Sequence, residues 1–155
     1  SYAEFDKDLV PLVREILGLF EDMEPGVSNI VTVNMMEVLE DNGIRLEIGS
    51  PEVKRQLSEH LRNNHIPFGP GASPGKMFDK LVSKFMARHL EGKAAIVTGF
   101  PLFTSPLAAA SKSKGLMADR LEVYLDGHEL ANGYQEENSA CRQLERFREQ
   151  LSDRE

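Results

Sequence analysis

Phe5, Leu9, Leu12, Val13, Ile16, Leu17 and Phe20 recur at three- and four-residue intervals, which predicts an amphipathic helix over residues 2–21. Pro11 falls inside it and either kinks the helix or marks its first turn. Glu24-Pro25-Gly26 breaks the pattern, and residues 29–33 fit a short strand. Asn34 with Glu37 three positions later is a variant capping box, so a short helix is expected over 35–41, stopped by Asn42-Gly43. Ser50-Pro51 starts the next predicted helix, with Val53, Leu57 and Leu61 on one face. After a run of punctuation from Pro67 to Gly75, Ser73 caps a helix with Pro74 at its first position. Its apolar stripe is Met77, Phe78, Leu81, Val82, Phe85, Met86 and Leu90, and residues 94–99 then form a buried strand.

Residues 120–136 alternate as a β-hairpin, followed by a closing helix capped by Asn138 or Ser139, with Leu144, Phe147 and Leu151 as its apolar positions. Asp126-Gly127 is the turn, because a type I′ turn needs positive φ at both central residues. A two-residue turn sets Tyr124 opposite Glu129 and Glu122 opposite Ala131, so Glu122 and Glu129 are diagonal neighbours on one face, within reach of one cation. Acids are poor strand formers, and several on one face repel unless a cation sits among them. The hairpin is therefore the candidate site for a cationic ligand, a metal ion, or both. The competing explanation is a solvated edge whose acids only deter aggregation. The element order implies an α+β fold, with helices covering one side of an antiparallel sheet, and no internal repeat is present.

Composition narrows the classes. At 155 residues the chain is one domain's worth, long enough for a real core. No apolar run approaches the ~18 residues of a membrane span, and Asp6, Lys7 and Asp8 occupy the place of a secretory leader's apolar region. A single cysteine, Cys141, excludes an internal disulfide framework and suits a reducing compartment, where it is expected to be structural. The net charge of −7 argues against a surface that grips RNA phosphates by itself. The stretch Gly69 to Lys76 fails as a phosphate loop, with Pro70 at the first required glycine and Met77 in place of Ser or Thr. His60 and His65 lack further ligands for zinc, His128 belongs to the exposed turn, and Lys112 and Lys114 sit in a solvated polar loop.

Several blocks together resemble a known family. Glu129-Leu130-Ala131-Asn132-Gly133-Tyr134 with Glu136, preceded by Arg120, Glu122, Val123 and Tyr124 and followed by Gln143 and Phe147, resembles the lysine-binding strands of class II lysyl-tRNA synthetases. Ile96 to Pro101 with Ser105-Pro106-Leu107-Ala108, the helix segment Lys76 to Val82, and Tyr2 to Leu9 are similar to further segments of that family. The resemblance is strong from about residue 76 and weak between about 18 and 70. It implies a partial class II catalytic domain over 1–155, with 2–70 a helical insertion-like region and 71–155 the helix, strand, hairpin and closing helix of the active-site sheet. It implies lysine contacts at Asn132, Tyr134 and Glu136, with Glu136 facing the ε-ammonium, Tyr134 adding a hydroxyl and Asn132 holding the amino-acid end. It further implies ATP contacts at Glu122 and Glu129, and magnesium at Glu129 and Glu136. These roles place Glu129, Asn132 and Tyr134 together, which a regular ladder forbids; a β-bulge between Glu129 and Asn132 is required, and Gly133 allows one.

The family's reaction, carboxylate attack on the α-phosphate of ATP, needs arginines from its motifs 2 and 3, and the chain has neither a Phe-Arg-x-Glu nor a Gly-x-Gly-x-Asp-Arg stretch. The resemblance thus implies a segment of a lysine–tRNA ligase, cytoplasmic or mitochondrial, that is inactive alone. It would use ATP and Mg2+, meet tRNA through other parts, and form a homodimer when full length, with no membrane partner. Two departures stand out: Ala109 where a lysine usually follows Ser-Pro-Leu-Ala, and Glu137 where a core leucine is usual. A lysyltransferase acting on elongation factor P and a non-catalytic, synthetase-derived assembly subunit are the alternatives. Aspartyl and asparaginyl relatives are disfavoured by Asn132-Gly133-Tyr134 with Glu136.

Overall fold

The structure, a computed structural model, describes residues 8–19, 30–113 and 115–152, the last three as backbone. The elements in chain order are α1 (Val10–Gly18), β1 (Ile30–Asn34), α2 (Met35–Asp41), α3 (Val53–Asn63), α4 (Pro74–Leu90), β2 (Ala94–Thr98), a 3-10 turn (Leu102–Thr104), β3 (Arg120–Leu125), β4 (His128–Tyr134) and α5 (Ala140–Ser152). Pro11 lies in the first turn of α1, where its missing N–H has no helical partner to lose. The remainder of the predicted first helix and Glu24-Pro25-Gly26 lie outside the described residues. Asn34 caps α2 through its side chain, and Ser73 caps α4 with Pro74 first. The third helix starts at Val53 rather than at Ser50-Pro51, because Ser50 and Glu52 are spent on the turn that leads into it.

The strands form one sheet in the order β1-β2-β3-β4. β2, β3 and β4 are antiparallel, as predicted, while β1 runs parallel to β2, so the sheet is mixed within the α+β class. Helices cover both faces rather than one. Val31, Val33, Ala95 and Val97 point to the face packed against α2 and α4, with Leu39, Leu57, Leu61, Phe78 and Leu81 at the centre of that core. Residues from either side of position 70 share it. Ile96, Leu121 and Val123 point to the opposite face, where Val10, Val13 and Leu17 of α1 meet them. Arg14 fastens that helix by donating to the Ile30 carbonyl at 2.8 Å and to Thr32 Oγ1 at 2.6 Å.

Burial changes sharply across the sheet. β2 is buried along its first four residues, whereas β4, an edge strand, is exposed except at Gly133. The face that is hydrophobic core under α4 therefore becomes a polar surface once it reaches β3 and β4.

Candidate functional site

The hairpin turns at Asp126 (φ +46°) and Gly127 (φ +77°), the backbone of a type I′ turn. Tyr124 pairs with Glu129 as predicted, but Val123 pairs with Ala131 and Glu122 with Asn132. Leu130 is the extra residue, so a bulge lies between Glu129 and Asn132, where the sequence required one. Gly133 is not the bulged residue; it pairs regularly with Leu121. Because directly paired residues share a face, one surface carries Arg120, Glu122 and Tyr124 from β3 beside Tyr134, Asn132 and Glu129 from β4. The bulge is what brings Glu129 round to the side of Asn132 and Tyr134.

Arg120 organises that surface. Its guanidinium lies 4.5 Å from the centre of the Phe100 ring, pairs with Glu122 at 2.6 Å, and donates to Asn132 Oδ1 at 3.3 Å and Ser105 Oγ at 3.0 Å. Tyr124 donates its hydroxyl to Glu122 at 2.8 Å, and Asn132 Nδ2 reaches the same carboxylate at 3.5 Å. Both oxygens of Glu122 are thereby engaged in a residue only 8% exposed. Burial pushes the Glu122 carboxyl above its ordinary range and the Glu129 carboxylate adds to the rise, while Tyr124 and Arg120 oppose it. Glu129 stands across the ladder from Tyr124, on the same face as Glu122 and diagonal to it. Burial, then the adjacent Glu122, raises the Tyr124 hydroxyl as well.

The remaining predicted residues are more open. Glu129, Asn132, Tyr134 and Glu136 are exposed. Glu136 lies beyond the end of β4, where it bridges to Ala108. Glu129 and Glu136 are thus separated along the strand, on the order of 20 Å at ~3.3 Å per residue, while Glu122 and Glu129 are the nearer carboxylates, diagonal to each other across the ladder. Among the described residues no group of three or more His, Cys, Asp and Glu is placed to hold a metal ion. A cavity of about 460 Å³ adjoins this surface, lined by Met35, Val82, Met86, Leu90 and Tyr124 among others, but by none of Glu122, Glu129 and Glu136. Cys141 is exposed, which removes the expected structural role, and Lys114 lies outside the described residues.

Sequence inspection gave Arg120, Tyr124 and Glu137 no role in the site. The first two were recoverable, since Arg120, Glu122 and Tyr124 alternate along β3 and so share a face. Glu137, at a position where the resemblance implies a core leucine, is only 5% exposed. It accepts from the Ser139 N–H at 3.0 Å and pairs with Arg146 at 3.0 Å and Arg142 at 3.4 Å. The Ser139 N–H, with Arg142 and Arg146, holds its carboxyl below the ordinary range against the upward push of burial.

Residues 13–155 match the family model described as tRNA synthetases class II (D, K and N). The lysine–tRNA ligase of Helicobacter pylori strain J99 is 31% identical over 151 residues, which cover 97% of this chain and 30% of that protein. The lysine–tRNA ligase of Coxiella burnetii strain Dugway 5J108-111 is 37% identical over 87 residues, 56% of this chain and 16% of that protein. The chain spans under a third of the length of these curated relatives. A match over nearly its whole length shows that the chain belongs to the class II (D, K and N) tRNA synthetases, and the relatives it resembles are lysine–tRNA ligases.

Proposed function

We propose that this chain supplies the lysine pocket and part of the ATP–magnesium site of a lysine–tRNA ligase. The observation that carries the proposal is the bulge at Leu130, which gathers Glu122, Glu129, Asn132 and Tyr134 onto one surface. In this reading Asn132, its amide fixed between Arg120 and Glu122, meets the amino-acid end of lysine, and Tyr134 and Glu136 receive the ε-ammonium. An ammonium needs an anionic acceptor to replace its water, and an exposed carboxylate beside a phenol is a suitable one. Glu129, with Glu122 beside it, offers the hard oxygen donors that magnesium prefers, and the ion would supply positive charge to offset that of the ATP phosphates.

Lysine activation also needs cations on the α- and γ-phosphates, and the arginine motifs that supply them in the family are not in the 155 residues. The 155 residues alone therefore bind lysine but make no lysyl-adenylate. Calorimetric titration tests the first half. Lysine should release heat with the wild type, and Glu136→Gln should weaken binding by roughly tenfold or more, the value of one charged hydrogen bond. Unchanged affinity in that variant would sink the pocket. Lysine-dependent exchange of pyrophosphate into ATP should be at background for the 155 residues. Activity above background would show that the missing arginines are dispensable.

A further inference from the structure

We propose that Glu137 and Arg146 form a clamp that fixes the position of Glu136, making both of them positioning residues for the ammonium group; this rests on the lysine-pocket reading of Glu136. The segment after Tyr134 is no longer in the named sheet, yet it stays extended. The Gln135 N–H donates to the Asp119 carbonyl at 2.9 Å, the Ala109 N–H to the Gln135 carbonyl at 2.6 Å, and the Glu137 N–H to the Leu107 carbonyl at 2.9 Å. Glu136 therefore sits in a short two-chain ladder with residues 107–109, which on its own is a marginal structure.

Arg146 of α5 locks that ladder from the side. Its guanidinium donates to the Pro106 carbonyl at 3.2 Å, to the Ala108 carbonyl, and to Glu137 Oε2 at 3.0 Å. One planar group thus holds both chains of the ladder at once, a task suited to the fixed fork of arginine. The Arg146 side chain is 13% exposed and that of Glu137 5%, so the pair is shielded from solvent competition. Gln143 adds a bond from its side chain to the Glu137 carbonyl at 2.9 Å. Each contact falls on Glu137 or within two residues of Ala108, the bridge partner of Glu136, which is itself exposed. An exposed carboxylate has no packing to hold it; its aim comes from the backbone beneath.

Arg146→Lys keeps the charge but loses the fork, and Glu137→Gln keeps the shape but loses the charge. With no lysine present, both should speed hydrogen exchange at the Ala109 and Glu137 amides by about tenfold or more, the worth of one charged hydrogen bond. Amides of Ala95 to Val97 should remain the slowest in the protein, which certifies the fold. Both variants should also lose roughly tenfold in lysine affinity and narrow the preference for lysine over norleucine in competition, because only lysine uses Glu136. Wild-type exchange at Ala109 and Glu137, or faster exchange with lysine preference intact, overturns the clamp. If Glu137→Gln unfolds, Arg146→Lys carries the same comparison. A wild type that ignores lysine, or a Glu136→Gln variant that binds it normally, would instead bring down the pocket reading, and the positioning role with it.

Discussion

Two buried glutamates in this chain are treated in opposite ways, and the difference separates structure from chemistry. Glu137 is held below the ordinary carboxylate range by the Ser139 N–H and by Arg142 and Arg146. Glu122 is pushed above it by burial and by Glu129, despite Arg120 and Tyr124. For Glu137 the depressed value means that its ionised form stabilises the fold. That contribution is complete above the ordinary glutamate pKa of about 4.3 and is lost as pH falls through the lower folded value. For Glu122 the sign reverses: ionisation costs stability as pH rises from the ordinary value to the raised one. Strain of this kind collects at functional sites. Glu137→Gln should therefore cost about 3 kcal/mol at neutral pH, as breaking a buried pair does, and should lose less stability than the wild type on acidification below about pH 4.3. Urea unfolding at several pH values reads both effects, and parallel pH curves for the two proteins would contradict the sign. The face that Glu122 shares with Arg120 and Tyr124 was legible in the alternation along β3, but the surroundings of Glu137 were not. Glu137 meets Arg146 nine positions away through a helix start, a spacing that no strand or helix period singles out.

Elements with local signals were legible and those shaped by distant contacts were not. Asp126-Gly127 announced the hairpin, and Ser73-Pro74 with the stripe from Met77 to Leu90 announced α4, because turn and cap chemistry act over a few residues. The need for a bulge followed from the roles assigned to the strand, yet its place at Leu130 did not, since nothing local marks that residue. The parallel pairing of β1 escaped for a similar reason: the strand was visible, but its neighbour lies some sixty residues away. The stripe on α5 shows the limit of periodicity, for Leu144 and Phe147 are 49% and 40% exposed. One connection between elements can be tested directly. Gly99, at the end of β2 with φ +81°, passes so close to the capping side chain of Asn34 that a Cβ there would overlap Asn34 Oδ1. Gly99→Ala should then lose both the backbone freedom and the α2 cap, about 2–3 kcal/mol together. Gly127→Ala has a similar φ of +77° but open space around it, so it should cost only about 1–2 kcal/mol. Equal losses in denaturant melts of the two variants would show that the cap contributes nothing.

Across the whole molecule, one continuous sheet serves as core on its inner strands and as a candidate binding surface on its outer ones. Ala95 and Val97 stand directly across from Tyr124 and Glu122, so the floor of the site is the far side of the same ladder that α4 buries. Local stability must then fall from β2 toward β4, because β2 has neighbours on both sides and apolar cover, while β4 has one neighbour and little cover. A ligand held by β4 and the segment beyond it would stabilise the part of the fold with the least stability of its own. Amide exchange should accordingly be slowest at Ala95 to Val97 and fastest, among the strands, along β4. Saturating lysine should slow exchange from Asn132 to Glu137, by a factor that grows with lysine concentration over its dissociation constant. It should slow Ala95 to Val97 as well, since every opening that releases lysine, the unfolding of the whole domain included, is opposed by the same factor. Exchange from Asn132 to Glu137 that keeps its ligand-free rate in saturating lysine would mean that the hairpin and the segment beyond it do not hold the ligand.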